Sequence, residues 1–123
     1  MRRTRYISFA WTTDAYKAKQ KVETRRYWDD KYASSFKEGE HLTAMDKAVF
    51  AHGNRIGEIV LTKKPYKQRT SLMTEADFKD EGLLWMEQQG LLIKGQKPRE
   101  FFDQWKAKDE EVWVIEFEIL SVV

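Results

Sequence analysis

The chain has 123 residues, no cysteine and two histidines, with 41% apolar, 14% aromatic and 34% charged side chains. That length predicts one domain spanning residues 1–123, and a chain of this size buries roughly two-thirds of its unfolded surface without staples. The lack of cysteine excludes disulfides and thiolate metal sites, and a net charge of +2 does not by itself announce a nucleic-acid binder.

The N-terminus, Met1-Arg2-Arg3-Thr4-Arg5, is basic and too polar to begin a signal peptide. No apolar run approaches the roughly 20 residues that span a bilayer. A soluble, cytoplasmic protein with no membrane partner is expected. Tyr6 to Trp11 reads as a first strand, dense in apolar and aromatic residues. Thr12-Thr13-Asp14 offers capping groups for a short helix over Ala15 to Lys19. Lys31 to Phe36 predicts a helical turn or two, Lys37 to Glu40 a turn, and His41 to Asp46 a strand. Gly53-Asn54 is a loop signal ahead of a long strand over Ile56 to Thr62. Thr74 or Ser71 caps a helix that begins near Met73. The pattern continues from Asp77 to Gln89 with an interruption at Gly82. Pro98 to Lys108 carries Phe101, Phe102 and Trp105 at helical spacing with proline near the first turn. Val112 to Leu120 alternates and closes the chain as a strand. Strands at both ends and in the middle, with helices between them, predict an α+β fold. The preferred form is a small, mostly antiparallel β-barrel with peripheral helices.

The densest chemistry lies in Lys21-Val22-Glu23-Thr24-Arg25-Arg26, followed by Tyr27-Trp28. An amine, a hydroxyl and two guanidinium groups sit there beside aromatic rings. Residues two apart share a strand face. Thr24, Arg26 and Trp28 therefore form one expected row, and Lys21 can join it only from a turn entering the strand. The ordinary structural readings stand beside this one. Lys21 and Arg25 read as solvated charges, Thr24 as a β-former, and Arg26 as the partner of Glu23 or Asp29. Two histidines far from ligand-spaced partners suggest no metal, and no cofactor is expected.

The pattern Lys21-x-x-Thr24-x-Arg26 resembles the signature of ASCH domains, relatives of the PUA fold. Phe36-Lys37-Glu38-Gly39-Glu40 is similar to the family's turn before its next strand, and Gly57 to Pro65 to its long central strand. Thr74 to Gly82 resembles its helical insert ending in Glu-Gly. One departure is Lys19, where the family often has glycine two residues before the lysine. The resemblance implies a PUA-like barrel with a cleft that faces RNA or a nucleoside. Some small ASCH proteins are amidohydrolases that deacetylate N4-acetylcytidine. By that resemblance the catalytic residues are Lys21, Thr24 and Glu81: a threonine nucleophile, a lysine base and a carboxylate that carries the proton. A nucleophilic threonine needs a base within hydrogen-bond reach, and Lys21 serves only with a substantially lowered pKa. Glu81, if paired to Lys21, opposes that role.

Arg25, Arg26, Trp28 and Trp11 are the expected contacts to RNA or a nucleoside, because rings beside guanidinium groups suit unstacked bases. Phe101, Phe102, Trp85 and Trp105 read as core. Lys63, Lys64, Lys67 and Arg69 form a second basic run, read either as a phosphate-contacting rim or as a solvated strand end and loop. The expectation is a protein that binds RNA or a modified nucleoside, as a monomer or weak dimer. An amidohydrolase is the alternative, and a metal-independent ribonuclease a weaker one.

Overall fold

The computed structural model describes residues 4–123; the basic residues Met1 to Arg3 lie outside them. The architecture is α+β. The strands are β1 (Arg5–Ser8), β2 (Glu23–Arg26), β3 (His41–Met45), β4 (Arg55–Leu61), β5 (Tyr66–Arg69) and β6 (Glu111–Val122). The helices are α1 (Thr13–Lys17), α2 (Asp30–Ser34), α3 (Glu75–Asp80), α4 (Leu83–Gln88) and α5 (Pro98–Lys108).

The first strand stops earlier than its composition predicts. Ala10 adopts φ +45° and turns the chain out of the sheet. Ala10–Thr12 then makes a 3-10 turn, held by Thr12 Oγ1 donating to the Phe9 carbonyl at 2.8 Å. Trp11 consequently sits on that turn and not on a strand.

The strands run in the order β1-β3-β4-β6-β2, with β5 also on β6. β1 and β3 are parallel, and the other ladders are antiparallel. β6 is long enough to serve two groups of partners. Its first half pairs with β5 and β2, and its second half with β4. The sheet curls but does not close into the expected barrel, because no backbone ladder joins β1 to β2 among the described residues. One side chain spans that gap: Arg26 Nη2 donates to the Ser8 carbonyl at 2.6 Å.

Two apolar clusters result. One packs inside the curl, around Phe9, Tyr16, Phe36, Leu42, Ile59 and Phe117. The other joins the helices through Met73, Phe78, Leu83, Met86, Ile93 and Phe102. The predicted interruption at Gly82 divides α3 from α4. Thr74 caps α3 reciprocally with Asp77, and Asp29 caps α2. β5, in a segment that the sequence reads as a phosphate-contacting rim or a strand end and loop, is a full partner of β6. No helix among the described residues is long and apolar enough to cross a membrane.

Candidate functional site

Lys21 enters β2 from a turn, as its spacing to Thr24 requires. α1 ends with Lys19 in the left-handed region at φ +59°. The Lys19 N–H donates to the Tyr16 carbonyl (2.8 Å) and the Gln20 N–H to the Ala15 carbonyl (2.9 Å). These two bonds are the helix-ending pattern that favours glycine at the left-handed position. The departure noted at Lys19 is thus a lysine in glycine's place. Val22 then donates its N–H to the Asp80 carbonyl at 2.8 Å, which ties the turn to the end of α3.

That tie delivers Glu81. Lys21 is 1% exposed. Its Nζ donates to Glu81 Oε1 at 2.9 Å and to the Glu81 backbone carbonyl at 3.0 Å. Arg25 Nη1 donates to Glu81 Oε2 at 2.7 Å and to Glu23 Oε1 at 2.8 Å. The rest of the Arg25 fork contacts Gln68 of β5, and Nη2 lies 3.1 Å from Asp77 Oδ1. Lys21 and Arg25 are therefore buried and held by carboxylates and are not solvated surface groups. Arg25, not Arg26, is the partner of Glu23.

Burial pushes the Lys21 amine below its ordinary range; the Glu81 charge opposes this, and Arg26 adds to it. Glu23 is 5% exposed, and desolvation raises its carboxyl to about 8 against the pull of Arg25. It is protonated at neutral pH and hydrogen-bonds Asp77, whose own pKa is lowered below 3.8 despite partial burial, chiefly by the Thr74 backbone N–H and that bond. Glu81 thus lies between Lys21 and Arg25, and Asp77 lies on the other side of the Arg25 guanidinium.

A cavity of about 490 Å³ opens against this cluster. Its buried end is formed by Phe9, Lys21, Thr24, Arg25 and Glu81, with Arg26 beside them. The Thr24 hydroxyl has no hydrogen-bond partner among the described residues. Arg26 has the single Nη2 bond to Ser8, its Nε is buried without a partner, and no carboxylate pairs with it among the described residues. Burial brings its pKa down to about 10, partly offset by the Glu81 charge, so it stays cationic at neutral pH.

The opposite wall is one face of α5, with Phe101, Gln104, Trp105 and Lys108 at helical spacing. Phe101 and Trp105, read from sequence as core, line the cavity, while Phe102 takes the core position. Trp11 meets Phe101 edge-on at 5.0 Å, and Trp105 Nε1 donates to the Tyr27 hydroxyl at 2.9 Å. Lys94 and Gln96 also line the cavity, and nothing in the local sequence pattern marks them. The i, i+3, i+4, i+7 stripe on α5 was the available signal, because a second helix face with rings and polar groups is more than a core requires.

The remaining expected residues lie elsewhere. Trp28 falls beyond the end of β2 and stacks on Phe36 at 4.8 Å, so it leaves the row of Thr24 and Arg26. Lys63, Lys64, Lys67 and Arg69 do not line the cavity. Lys63 pairs with Glu116 (3.6 Å), and Lys67 with Asp30 (3.0 Å) and Glu111 (3.2 Å). Arg69 pairs with Asp109 (2.8 Å), and Lys64 donates to the Ser34 carbonyl (3.1 Å). Acids from distant elements thus answer most of a run that looks purely basic in sequence. No group of three His, Asp or Glu side chains among the described residues is arranged to hold a metal ion.

No protein-family model matches the chain, and no curated protein matches it significantly. Among solved structures it is similar to the crystal structure of protein EF3133 from Enterococcus faecalis V583, described as a DUF984 protein. The TM-score is 0.63 at 14% identity, covering 100% of this chain and 84% of that one. At that identity the likeness shows the shared α+β fold.

Proposed function

We propose that this is an ASCH-like, PUA-related protein that holds one nucleoside, free or within RNA, in the cavity between β2 and α5. The observation that carries the reading is Arg26. A buried cation with an unanswered Nε, and with no carboxylate in ion-pair contact among the described residues, borders an aromatic-walled cavity of about 490 Å³. Its donors suit the carbonyl and ring-nitrogen acceptors of a pyrimidine, while Trp11, Tyr27 and Trp105 offer faces for the base. The volume falls within the range of small-molecule sites. Titration with cytidine and N4-acetylcytidine, followed by tryptophan fluorescence, tests it. Saturable binding that Arg26→Gln weakens by about tenfold or more is expected, the scale of a lost charge-assisted hydrogen bond. Absence of saturation up to millimolar ligand defeats the reading.

A second reading, an amidohydrolase acting on N4-acetylcytidine or a related amide, is favoured by one observation. Lys21, Thr24 and Glu81 line the same cavity, and the Thr24 hydroxyl has no hydrogen-bond partner among the described residues. In this reading Thr24 Oγ attacks the acyl carbon and a neutral Lys21 takes its proton. The C–N bond breaks, the amine leaves with that proton, and water hydrolyses the acyl-threonine. Burial of Lys21 favours the neutral amine, and the bond to Glu81 opposes it. Lys21 and Thr24 are not hydrogen-bonded to each other. Equimolar acetate and cytidine from N4-acetylcytidine, lost in Thr24→Ala, would establish it; no turnover at high enzyme concentration leaves the binding reading in place. For a ribonuclease the lining offers only one carboxylate, Glu81, already held by two cations.

A further inference from the structure

The exposed end of the cavity has its own chemistry. Lys94 and Lys108 line it, both are exposed, and neither has an ion-pair or hydrogen-bond partner among the described residues. This contrasts with Lys63, Lys67 and Arg69, which are answered by acids.

Lys94 is placed by a built device. Ile93 and Gln96 exchange backbone hydrogen bonds at 2.8 Å in both directions, closing a two-residue hairpin. Lys94 (φ +49°) and Gly95 (φ +81°) fill its two left-handed positions. Such turns favour asparagine or glycine first, and lysine there carries a steric cost. The hairpin is anchored by the fully buried Ile93 and fastened to α5 by Gln96 Nε2 donating to Gln104 Oε1 at 3.0 Å. Lys108 stands one turn beyond Gln104 on the same helix face. Two exposed ammonium groups without an ion-pair partner among the described residues are thereby carried on rigid elements that line the same cavity as the aromatic rings and Arg26.

We propose that Lys94 and Lys108 form a phosphate subsite, so that the ligand is a phosphorylated nucleoside with its base toward Arg26 and its phosphate at the opening. The inference rests on the nucleoside reading above and specifies its ligand class. Donors at the buried end suit a base, rings suit its faces, and paired ammonium groups suit a dianion.

The test is calorimetric titration of the full chain at low salt with cytidine, cytidine 5′-monophosphate, inorganic phosphate and a short single-stranded oligoribonucleotide. The 5′-monophosphate is expected to bind about tenfold more tightly than cytidine, the combined scale of two exposed charge pairs. That preference falls with rising salt and is lost in the Lys94→Gln/Lys108→Gln variant but kept in Lys63→Gln. Tighter binding of the oligonucleotide than of the mononucleotide, with the same dependence on Lys94 and Lys108, assigns the phosphate to an RNA backbone. Equal affinity for cytidine and its monophosphate, or a preference that survives the double substitution, overturns the subsite and leaves the nucleoside reading standing. Binding of neither overturns both.

Discussion

Lys21 and Glu81 are sixty residues apart, yet Nζ of the first lies 2.9 Å from Oε1 of the second and 3.0 Å from its backbone carbonyl. Both side chains are almost completely buried. Lys21 is thereby fixed in both position and charge environment by the end of α3, and Arg25 holds the other carboxylate oxygen. Removing one member leaves an uncompensated buried charge. Glu81→Ala is expected to cost about 3–5 kcal/mol and Lys21→Met somewhat less. Urea denaturation of the single and double variants checks this, with a coupling energy of about 1–3 kcal/mol expected from the cycle. Additive effects would mean that the pair does not interact.

Gly82 makes that meeting sterically feasible. It has φ +90°, and a Cβ there would lie 2.6 Å from the Ala15 Cβ and 3.3 Å from the Lys21 Cβ. Gly82→Ala combines left-handed strain with overpacking and is expected to cost about 2–4 kcal/mol. The displaced α3–α4 corner would also carry Glu81 away from the cavity. A midpoint in urea unchanged from wild type would contradict this account.

Lys19 offers the opposite result. At φ +59° in a helix-ending turn, its replacement by glycine relieves backbone strain. Lys19→Gly is expected to stabilise the protein by about 0.5–1 kcal/mol, net of the greater chain entropy of glycine. Thermal melting at matched concentration reads the difference.

Glu23 links stability to pH. Its carboxyl titrates at about 8 in the folded chain against an ordinary value of 4.5. Between those values the folded state holds a proton that the unfolded state lacks. Its contribution is therefore complete below about 4.5 and is lost as pH rises to about 8. The slope is on the order of 1.4 kcal/mol per pH unit within that window. Asp77, with its pKa lowered below 3.8, contributes stability present above that value and lost as pH falls below it, so the two effects occupy different ranges. Glu23→Gln keeps the neutral shape and is expected to flatten the dependence between pH 4.5 and 8. Denaturation midpoints of both proteins across this range decide it, and parallel curves would rule out Glu23 as the source.

The two tryptophans beside the basic segment and on α5 separate core from site. Trp28 stacks on Phe36, so Trp28→Ala is expected to cost about 3 kcal/mol while nucleoside affinity persists in the folded fraction. Trp105 lines the cavity, so Trp105→Ala is expected to weaken the nucleoside by about 1–3 kcal/mol with a smaller loss of stability. The reverse pattern in paired denaturation and binding curves would move the site to the other side of β2.

Local sequence determined what depends on local periodicity and turn chemistry. Pro98–Lys108 follows from a proline at its first turn and its 3.6-residue spacing, and β3, β4 and β6 from alternation and bounding turns. The requirement that Lys21 stand on a turn followed from its three-residue offset to Thr24. Other features depended on residues far apart in the chain. The pattern of β2 extends its row to Trp28, but the strand ends at Arg26 and Phe36 captures the ring. The run from Lys63 to Arg69 contains no acid, yet Asp30, Asp109, Glu111 and Glu116 reach it from elsewhere. The spacing on α5 puts Phe101 and Trp105 on one face and Phe102 on another, but which face is core and which is cavity wall depends on where α3 and α4 pack. The sheet stays open because β1 and β2 share no backbone ladder among the described residues, and the Arg26 side chain bonds the Ser8 carbonyl across the gap. Sequence by itself placed a lysine, a threonine and an arginine on one short segment. Only the tertiary structure decided that Glu81 would be shared by Lys21 and Arg25 while Arg26 found a backbone carbonyl and no carboxylate partner among the described residues, because charge pairing is set by packing between elements and not by order along the chain.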